Sequence, residues 1–247
     1  MSNELVQQNN IQVSFDLTLT DSNLGNINID VTEIAIDSVL SDGLLKDFPI
    51  VGTLVSLSKL GANIHDKLFL KKILSFLYGL KDVSAEDRSK IIKEIDESKK
   101  YRIKVGEKLL YIIDKCDDYE ISELVSVVFK YFIEGNISYK EFLKASIVLN
   151  NLTINDFKWF IEKGQSYHFD LDDINDLIGS GLFDLHYEQI DVRVEDQDDR
   201  KILMERYASK YKTEIEGGGI DANVSRSGEI ILEIFCPAYQ KPKKIVI

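Results

Sequence analysis

The stretch YRIKVGEKLLYIIDKCDDYEISELVSVVFKYFIEGNISYKEFLKASIVLNNLTINDFKWFIEK, residues 101–163, carries the strongest structural signal in the chain. Within residues 121–132 the apolar side chains fall three or four positions apart, which places them on one face of a helix. A similar stripe precedes it at residues 103–113, and two more follow, containing Phe142 and Phe157. The pattern predicts four short helices whose apolar faces share one centre.

Helix ends in this stretch are marked by residues with known terminal preferences. Gly135 and Asn136 tolerate the left-handed backbone that closes a helix. Ser138 followed by Glu141 forms the capping-box pattern that begins the next helix. Because connections this short force neighbouring helices to pack nearly antiparallel, we expect a helical bundle.

The size and composition of the chain agree with a folded, helix-rich protein. With 247 residues, it is long enough for one large domain or two small ones. Apolar residues make up 44% of the chain, which supplies a sizeable core, and there are only three prolines. We therefore predict a mainly α fold, with a multi-helix bundle as the helical domain of residues 32–163.

The N-terminal residues show a different periodicity. Apolar and polar residues alternate over residues 11–19, which is typical of a half-buried strand. A second short apolar run follows at residues 27–31, after a turn cluster. The pattern predicts a short β-hairpin within an N-terminal β segment, residues 1–31.

The pattern changes again beyond Gly164. The predicted elements there are a helix, a strand, a helix and two closing strands, at residues 171–178, 182–194, 196–211, 220–224 and 230–235. Together they predict a small α+β winged-helix-like module, residues 164–247. Its ten basic and seventeen acidic residues argue against a DNA-reading wing and favour a packing or protein-contact role.

Charge is distributed unevenly along the chain. The net charge is −12, which argues against nucleic acid as a partner, yet residues 59–108 carry thirteen basic and eight acidic side chains. Two explanations fit this basic segment: a surface that contacts a partner, or complementary packing within the chain. We favour packing, because runs of charged residues usually form solvated faces of a fold. The candidate partner-binding strip consists of Lys59, Lys67, Lys71, Lys72, Lys99, Lys100, Arg102 and Lys104.

Residues 44–80 are unusually apolar. The uncharged run at residues 48–58 has eleven residues, whereas a membrane-spanning helix needs about twenty. Residues 67–80 are apolar around most of a helical circumference, with lysines on the remaining strip. Burial in the bundle explains this pattern, because neighbouring helices offer matching apolar faces. A basic amphipathic helix lying on an anionic membrane surface is the alternative.

The sequence carries no motif of catalysis or cofactor binding. A Walker loop, a Gly-x-Gly-x-x-Gly turn, a Cys-x-x-Cys pair and a His-Glu-x-x-His helix are all absent. Asp117 and Asp118 are expected to raise the pKa of the neighbouring Cys116 thiol, which disfavours a nucleophilic role. We therefore predict a protein that is not an enzyme and has no cofactor and no metal site.

One acidic cluster nevertheless lies near a histidine. Its members are His168, Asp170, Asp172, Asp173 and Asp176. Carboxylates and an imidazole can hold a divalent ion, so a metal-dependent hydrolase remains an alternative function. Helix capping is the simpler explanation, because acidic side chains favour the first turn of a helix.

Several runs carry a resemblance to known proteins: residues 44–53, LLKDFPIVGT; 66–72, DKLFLKK; 105–110, VGEKLL; 132–135, FIEG; and 139–142, YKEF. They resemble a scattered group of uncharacterised bacterial proteins with a helical centre and a winged-helix-like tail, over residues 40–235. The spacing around residues 134–142 is similar to that of tellurite-resistance TerB-like helical domains, although their acidic metal-binding run is missing here. The resemblance implies a bacterial protein of a phage-defence or mobile-element locus.

These observations predict a non-enzymatic protein that binds another protein or has a regulatory role. Its two cysteines cannot form a disulfide framework, and without a signal peptide we expect it in the cytoplasm. A membrane-acting effector using residues 44–80 is the main alternative function, and the metal-dependent hydrolase is the second. The sequence leaves the oligomeric state and the identity of the partner open.

Overall fold

The computed structural model describes residues 2–26, 45, 47–57, 64–164, 169, 171–196 and 211–239. Within these ranges the chain forms ten α-helices and two antiparallel two-stranded sheets, so the predicted mainly α class is confirmed. The helices are α1 Ser2–Leu19, α2 Pro49–Leu57, α3 Ile64–Gly79, α4 Ala85–Asp96, α5 Val105–Lys115, α6 Tyr119–Ile133, α7 Tyr139–Asn150, α8 Ile154–Gly164, α9 Leu171–Ile174 and α10 Arg226–Phe235. The strands are β1 Phe183–Tyr187, β2 Asp191–Asp196, β3 Tyr211–Glu216 and β4 Ile220–Val224.

The central helices, α5 to α8, lie where the apolar periodicity predicts them. The capping box is present: Ser138 Oγ accepts from the Glu141 N–H at 3.3 Å, and the Glu141 carboxylate accepts from the Ser138 N–H at 2.9 Å. Asp118 caps α6 by accepting from the Ile121 N–H at 2.9 Å. Gly135 closes α6 with φ of +80°, the left-handed conformation expected of it.

The core is built around α3, which packs mainly on α6. Its apolar face, Leu70, Ile73, Leu74, Phe76 and Leu77, is buried. The Phe76 ring centroid lies 6.3 Å from that of Phe15 on α1 and 5.9 Å from that of Phe129 on α6. Burying each such ring contributes roughly 1.5–3 kcal/mol, so this aromatic row is a main source of stability.

The predicted N-terminal hairpin is wrong, because residues 2–19 form helix α1. Phe15 and Leu19 are fully buried, four positions apart, whereas Val13 and Leu17 are 54% and 56% exposed. The apolar alternation therefore hides a helical spacing, and the helix forms because α1 buries that face against α2 and α5. The predicted second strand, residues 27–31, lies outside the described residues.

A buried cation joins the ends of three helices. Arg88 on α4 is only 1% exposed, and burial lowers its pKa while Asp21 acts in the opposite direction. Its guanidinium donates to four backbone carbonyls: Leu19 at 2.7 Å, Asp21 at 2.5 Å, Leu80 at 3.5 Å, and Val83. Carbonyls at and just past a helix end lack intrahelical donors, so Arg88 supplies donors to groups at the C-terminal ends of α1 and α3.

The C-terminal elements differ from the prediction in two places. The strand predicted at residues 230–235 is wrong, since this segment belongs to helix α10. Ser225 Oγ accepts from the Gly228 N–H at 3.1 Å and so caps the start of this helix. Tyr211, predicted to end a helix, begins strand β3, and residues 197–210 lie outside the described residues.

Other C-terminal predictions are confirmed in part. The strand predicted at residues 220–224 is present as β4, and the one predicted over residues 182–194 is two strands, β1 and β2. The helix predicted over residues 171–178 is the short α9 followed by the 3₁₀ turn Asn175–Leu177. A helix after the last strand is not the closing hairpin of a winged helix, so that module is not confirmed.

Helix α10 packs on α7 and α8 and completes the bundle. A Cβ added to Gly164 would lie 2.3 Å from Leu232 Cδ2, so the two helices approach closely because residue 164 has no side chain. Ile230 and Leu232 belong to the same apolar cluster as the central helices. The apolar core therefore spans the predicted boundary at residues 163–164.

Candidate partner-binding surfaces

The predicted basic strip is distributed over two regions of the structure. Lys67, Lys71 and Lys72 lie on α3 and are half-buried. The segment between α4 and α5 carries the exposed residues Lys99, Lys100, Arg102 and Lys104. Lys59 lies outside the described residues.

Lys72 is bonded within the chain. Its Nζ donates to the carbonyl of Asp114 at 3.2 Å and to the carbonyl of Cys116. Both carbonyls lie at the C-terminal end of α5, where a cation also meets the negative end of the helix dipole. This lysine therefore stabilises the fold, and its ammonium is only partly free for a partner.

Lys71 also has a neighbour inside the chain. Its Nζ lies 3.6 Å from the centroid of the Tyr119 ring, a cation–π contact. Lys71 and Lys72 line a cavity of about 140 Å³ together with Asp114, Asp117 and Asp118. The carboxylates offset the lysines, so this part of the strip is not a basic surface.

The two halves of the strip are separated by helix α5. Lys72 reaches the C-terminal end of α5, whereas Lys104 stands at its N-cap. A helix of eleven residues is about 16 Å long. The structure thus places the seven described residues of the strip in two groups and not in one line, and the partner-binding role of the strip remains a prediction.

The predicted acidic cluster is only partly described. Asp172, Asp173 and Asp176 are exposed, and Asp173 pairs with Lys163 at 2.8 Å. Asp172 and Asp173 lie in the first turn of α9, as the capping interpretation predicts. Within the described parts of the chain, no three His, Cys, Asp or Glu side chains form a group that could hold a metal ion. His168 and Asp170 lie outside these parts.

Cys116 is set in the core beside α7. Burial raises the pKa of its thiol to about 12, despite the opposing effect of Lys72. The Sγ lies 3.3 Å from Asn150 Oδ1 and 3.4 Å from the Ile112 carbonyl oxygen, and it is 2% exposed. A thiol held protonated and covered in this way is a poor nucleophile.

The apolar segment proposed for a membrane, residues 44–80, buries most of its described large apolar side chains. Leu70 is 3% exposed, and Ile73 and Leu77 are fully buried. Among the described residues, no helix has both the length and the apolar character needed to cross a membrane. Ile64 and Leu68, at the start of α3, are exposed at 78% and 53%.

A surface that the sequence analysis missed is a two-stranded ribbon, here called the β-arm, residues 183–196 and 211–224. β1 pairs with β4, with Phe183 opposite Val224, and β2 pairs with β3, with Asp191 opposite Glu216. The residue pairing of β1 with β4 continues without a shift into that of β2 with β3, so the two sheets form one antiparallel ladder. It is interrupted at residues 188–190 and 217–219, where Gly217 and Gly218 have φ of +83° and +79°.

The β-arm leaves the core as it extends. Phe183 is buried, Leu185 is half-buried and Tyr187 is 69% exposed. Beyond the interruption every described side chain of β2 and β3 is exposed. The outer half of the β-arm, β2 with β3, therefore projects into solvent on both faces.

The two faces of this outer half differ in chemistry. Val192, Val194 and Ile215 lie on one face, exposed at 54%, 60% and 68%. Asp191, Arg193 and Glu216 lie on the other. Arg193 Nε is 3.2 Å from Asp191 Oδ2, and its Nη2 is 3.6 Å from Glu216 Oε2. The apolar face is thus bare while the charged face is paired within itself.

The sequence does contain a signal for the β-arm. Val192 and Val194 alternate with charged residues, and Thr213 and Ile215 do the same on the returning strand. The prediction of a helix over residues 196–211 prevented the pairing of β2 with β3 from being recognised, because it covered the start of β3 and placed a helix between the two strands.

Two broader grooves also line the bundle. One, of about 350 Å³, lies beside α4 and is lined by Tyr101, Phe132 and Tyr139, and burial raises the pKa of Tyr139 to about 12. The other, of about 580 Å³, lies between α7 and α10. Its charged lining is Lys140, Glu141, Lys144, Asp184 and Arg226. The mixed signs give this groove no clear preference for an anion or a cation.

Known proteins offer no guide to these surfaces. Comparisons of the chain with protein-family models, with curated proteins and with solved structures find no match. The resemblance to bacterial helical proteins stays a prediction.

Proposed function

We propose that this protein is a non-enzymatic binding protein that holds a protein partner on the apolar face of its β-arm. The observation that carries the proposal is the exposure of Val192, Val194 and Ile215 on one face of a ribbon standing free of the bundle. The helical body is the scaffold, and the β-arm is its contact element.

The physical reason is that a two-stranded ribbon is only marginally stable in water unless something packs on it. A partner that covers the three side chains removes apolar surface from water, which contributes roughly 1–2 kcal/mol for each. Such a contact resembles the apolar centre of a protein interface, surrounded by a polar rim. The inner half of the β-arm is anchored in the core through Phe183, so the outer half is attached to the bundle at one end.

Partner capture by three purified proteins tests the proposal. The arm variant is Val192→Ser with Ile215→Ser. The matched control is Val13→Ser with Leu17→Ser, which removes two side chains of similar exposure, 54% and 56%, from α1. Each protein is immobilised and incubated with a cell extract of the organism that produces it. Bound proteins are quantified by mass spectrometry.

We expect at least one protein to be retained by the wild type and the control and lost from the arm variant. Thermal unfolding of all three proteins checks that the bundle is intact. Identical sets of bound proteins on the wild type and the arm variant would show that the β-arm is not the contact surface.

A further inference from the structure

The charge of the β-arm indicates what kind of partner it takes, and this step rests on the binding role proposed above. Residues 183–196 and 211–224 contain eight acidic and two basic residues, a net charge of −6. The whole chain has a net charge of −12, so half of its excess negative charge lies in the β-arm. The bare apolar face therefore belongs to a strongly acidic element.

The one described basic side chain of the β-arm is already used. Arg193 lies between Asp191 and Glu216 on the charged face. Exposed carboxylates also border the interruption of the ladder, at Glu188 and Asp221. Among the described side chains of the β-arm, acidic groups therefore outnumber basic ones around the apolar face.

We propose that the occupant of the apolar face is a basic protein segment, with apolar side chains flanked by lysine or arginine. Attraction between its cations and the acidic rim adds to the burial of Val192, Val194 and Ile215, and it also speeds encounter. A second copy of this chain is the competing occupant. Two β-arms packed face to face would bring together two elements of charge −6, and repulsion between like charges across an interface disfavours that association.

The two occupants differ in the sign of their salt dependence. Salt screens charges over about 10 Å at 0.1 M and about 3 Å at 1 M. Screening removes attraction, so a basic segment binds more weakly as salt rises. Screening also removes repulsion, so self-association through the same face becomes stronger as salt rises.

Labelled octapeptides serve as the probes. One alternates leucine with lysine and the other alternates leucine with glutamate, and binding is measured by fluorescence anisotropy. The proteins are the full-length wild type, the arm variant and the α1 control defined above, which all have the same net charge. Nonspecific attraction of the basic peptide is therefore equal among them. A charge variant, Glu188→Gln with Asp221→Asn, keeps the apolar face and reduces the acidic rim.

We expect the leucine–lysine peptide to bind the wild type and the control about tenfold more tightly than the arm variant or the charge variant. Binding to the wild type should weaken about tenfold between roughly 0.05 M and 0.5 M NaCl. The leucine–glutamate peptide should bind none of the proteins. Equal affinity for the two peptides, or equal affinity of wild type and arm variant for the basic one, would overturn the inference.

Sedimentation velocity of the proteins alone separates this inference from the proposed function. A wild-type dimer that strengthens with salt and is lost in the arm variant would make a second copy the occupant. In that case the inference of a basic partner is wrong, while the β-arm remains the binding surface. If instead the arm variant keeps every partner in the capture experiment, the proposed function itself is wrong.

Discussion

Arg226 Nε lies 3.0 Å from Glu141 Oε1, so an ion pair joins α10 to the first turn of α7 across 85 positions of sequence. The same glutamate completes the capping box with Ser138. Hydrogen bonds from the Ser138 backbone and side chain, and then from Arg226, lower the pKa of Glu141 to about 2. One carboxylate thus holds a helix start and a long-range contact together.

Replacing Glu141 by glutamine should lower the free energy of unfolding at neutral pH by about 1 kcal/mol. Because the pKa of Glu141 is lower in the folded state than its ordinary value of 4.5, its stabilisation is present above about pH 4.5. It is lost as the pH falls towards 2. Urea unfolding at several pH values should therefore show the wild type and Glu141→Gln converging in acid. Glu94→Gln, at an exposed position, is the control, and a difference that stays constant with pH would contradict the ionic role of Glu141.

Replacing Arg88 by methionine should be severely destabilising. The change keeps an unbranched apolar stem but removes the donor to the carbonyls of Leu19 and Val83. The carbonyls of Asp21 and Leu80 also lose Arg88, although they keep the backbone N–H groups of Leu24 and Val83. Buried acceptors without partners cost about 1–3 kcal/mol each, and solvent can reach some of them, so we expect a loss of roughly 3 kcal/mol. Urea denaturation measures it. Arg102→Met, at an exposed position, should change stability by less than about 0.5 kcal/mol, and equal stability of the two variants would refute the structural role of Arg88.

Asp16 should make the protein less stable at neutral pH than in mild acid. Burial raises its pKa from 3.8 to about 6, and Asp96 and Glu107 act in the same direction while Lys104 opposes them. A carboxyl with a raised folded-state pKa contributes most stability when protonated, and this contribution falls between about pH 3.8 and pH 6. Asp16→Asn should therefore stabilise the protein by about 1–2 kcal/mol near pH 7.5 and by almost nothing below pH 4.

Thermal unfolding followed by circular dichroism across this pH range tests the prediction for Asp16. Asp47→Asn, which changes an exposed carboxyl, is the control. A gain for Asp16→Asn that persists unchanged in acid would show that the effect comes from packing and not from ionisation.

Charge reversal at Lys72 should reduce stability as well as change the surface. Lys72→Glu removes the donor to the carbonyls of Asp114 and Cys116 and places a negative charge at a helix C-terminus, at an expected cost of roughly 2 kcal/mol. Lys99→Glu, in the exposed half of the strip, should cost less than about 0.5 kcal/mol. Urea denaturation distinguishes the two. A partner lost from Lys99→Glu would identify part of the predicted strip as a contact, and one lost from Lys72→Glu would do so only if that variant is folded under the conditions of the binding assay.

Local signals predicted the central bundle well, because they are set by neighbouring residues. The capping box at Ser138 and Glu141 involves residues three positions apart, and the apolar stripe of α6 is a property of one helix. The N-terminal helix was mispredicted because Phe15 and Leu19 fit both a strand and a helix. The surfaces of α2 and α5, which are distant in sequence, decide between the two.

The candidate surface was missed for a related reason. β2 pairs with β3 across a fourteen-residue connection. No pattern within one strand shows which other strand it will pair with. The intramolecular role of Lys72 was equally hidden, because its acceptors are backbone carbonyls. Every residue carries such a carbonyl, so sequence gives no sign of which ones a lysine will reach.

The glycines at the interruption of the β-arm should control whether the outer half forms. The apolar residues of β1 are odd-numbered and those of β2 are even-numbered. In an uninterrupted ladder the two sets would therefore lie on opposite faces. Gly217 has φ of +83°, and a Cβ added there would lie 2.0 Å from the Gln189 carbonyl oxygen. Gly217→Ala should therefore displace β3 from β2 and expose their backbone, since a ribbon of two strands has little stability to lose.

Hydrogen exchange measures this effect residue by residue. In Gly217→Ala, amide exchange should accelerate in residues 191–194 and 213–216, while protection in the bundle and its thermal unfolding stay unchanged. Gly135→Ala is the matched control, because Gly135 has φ of +80° but no atom lies within 4 Å of the added Cβ. It should lower the stability of the bundle by about 1 kcal/mol and leave exchange in the β-arm as in the wild type. Unchanged exchange in the β-arm of Gly217→Ala would mean that the interruption is not what sets the position of its outer half, and the bare apolar face would then need another explanation.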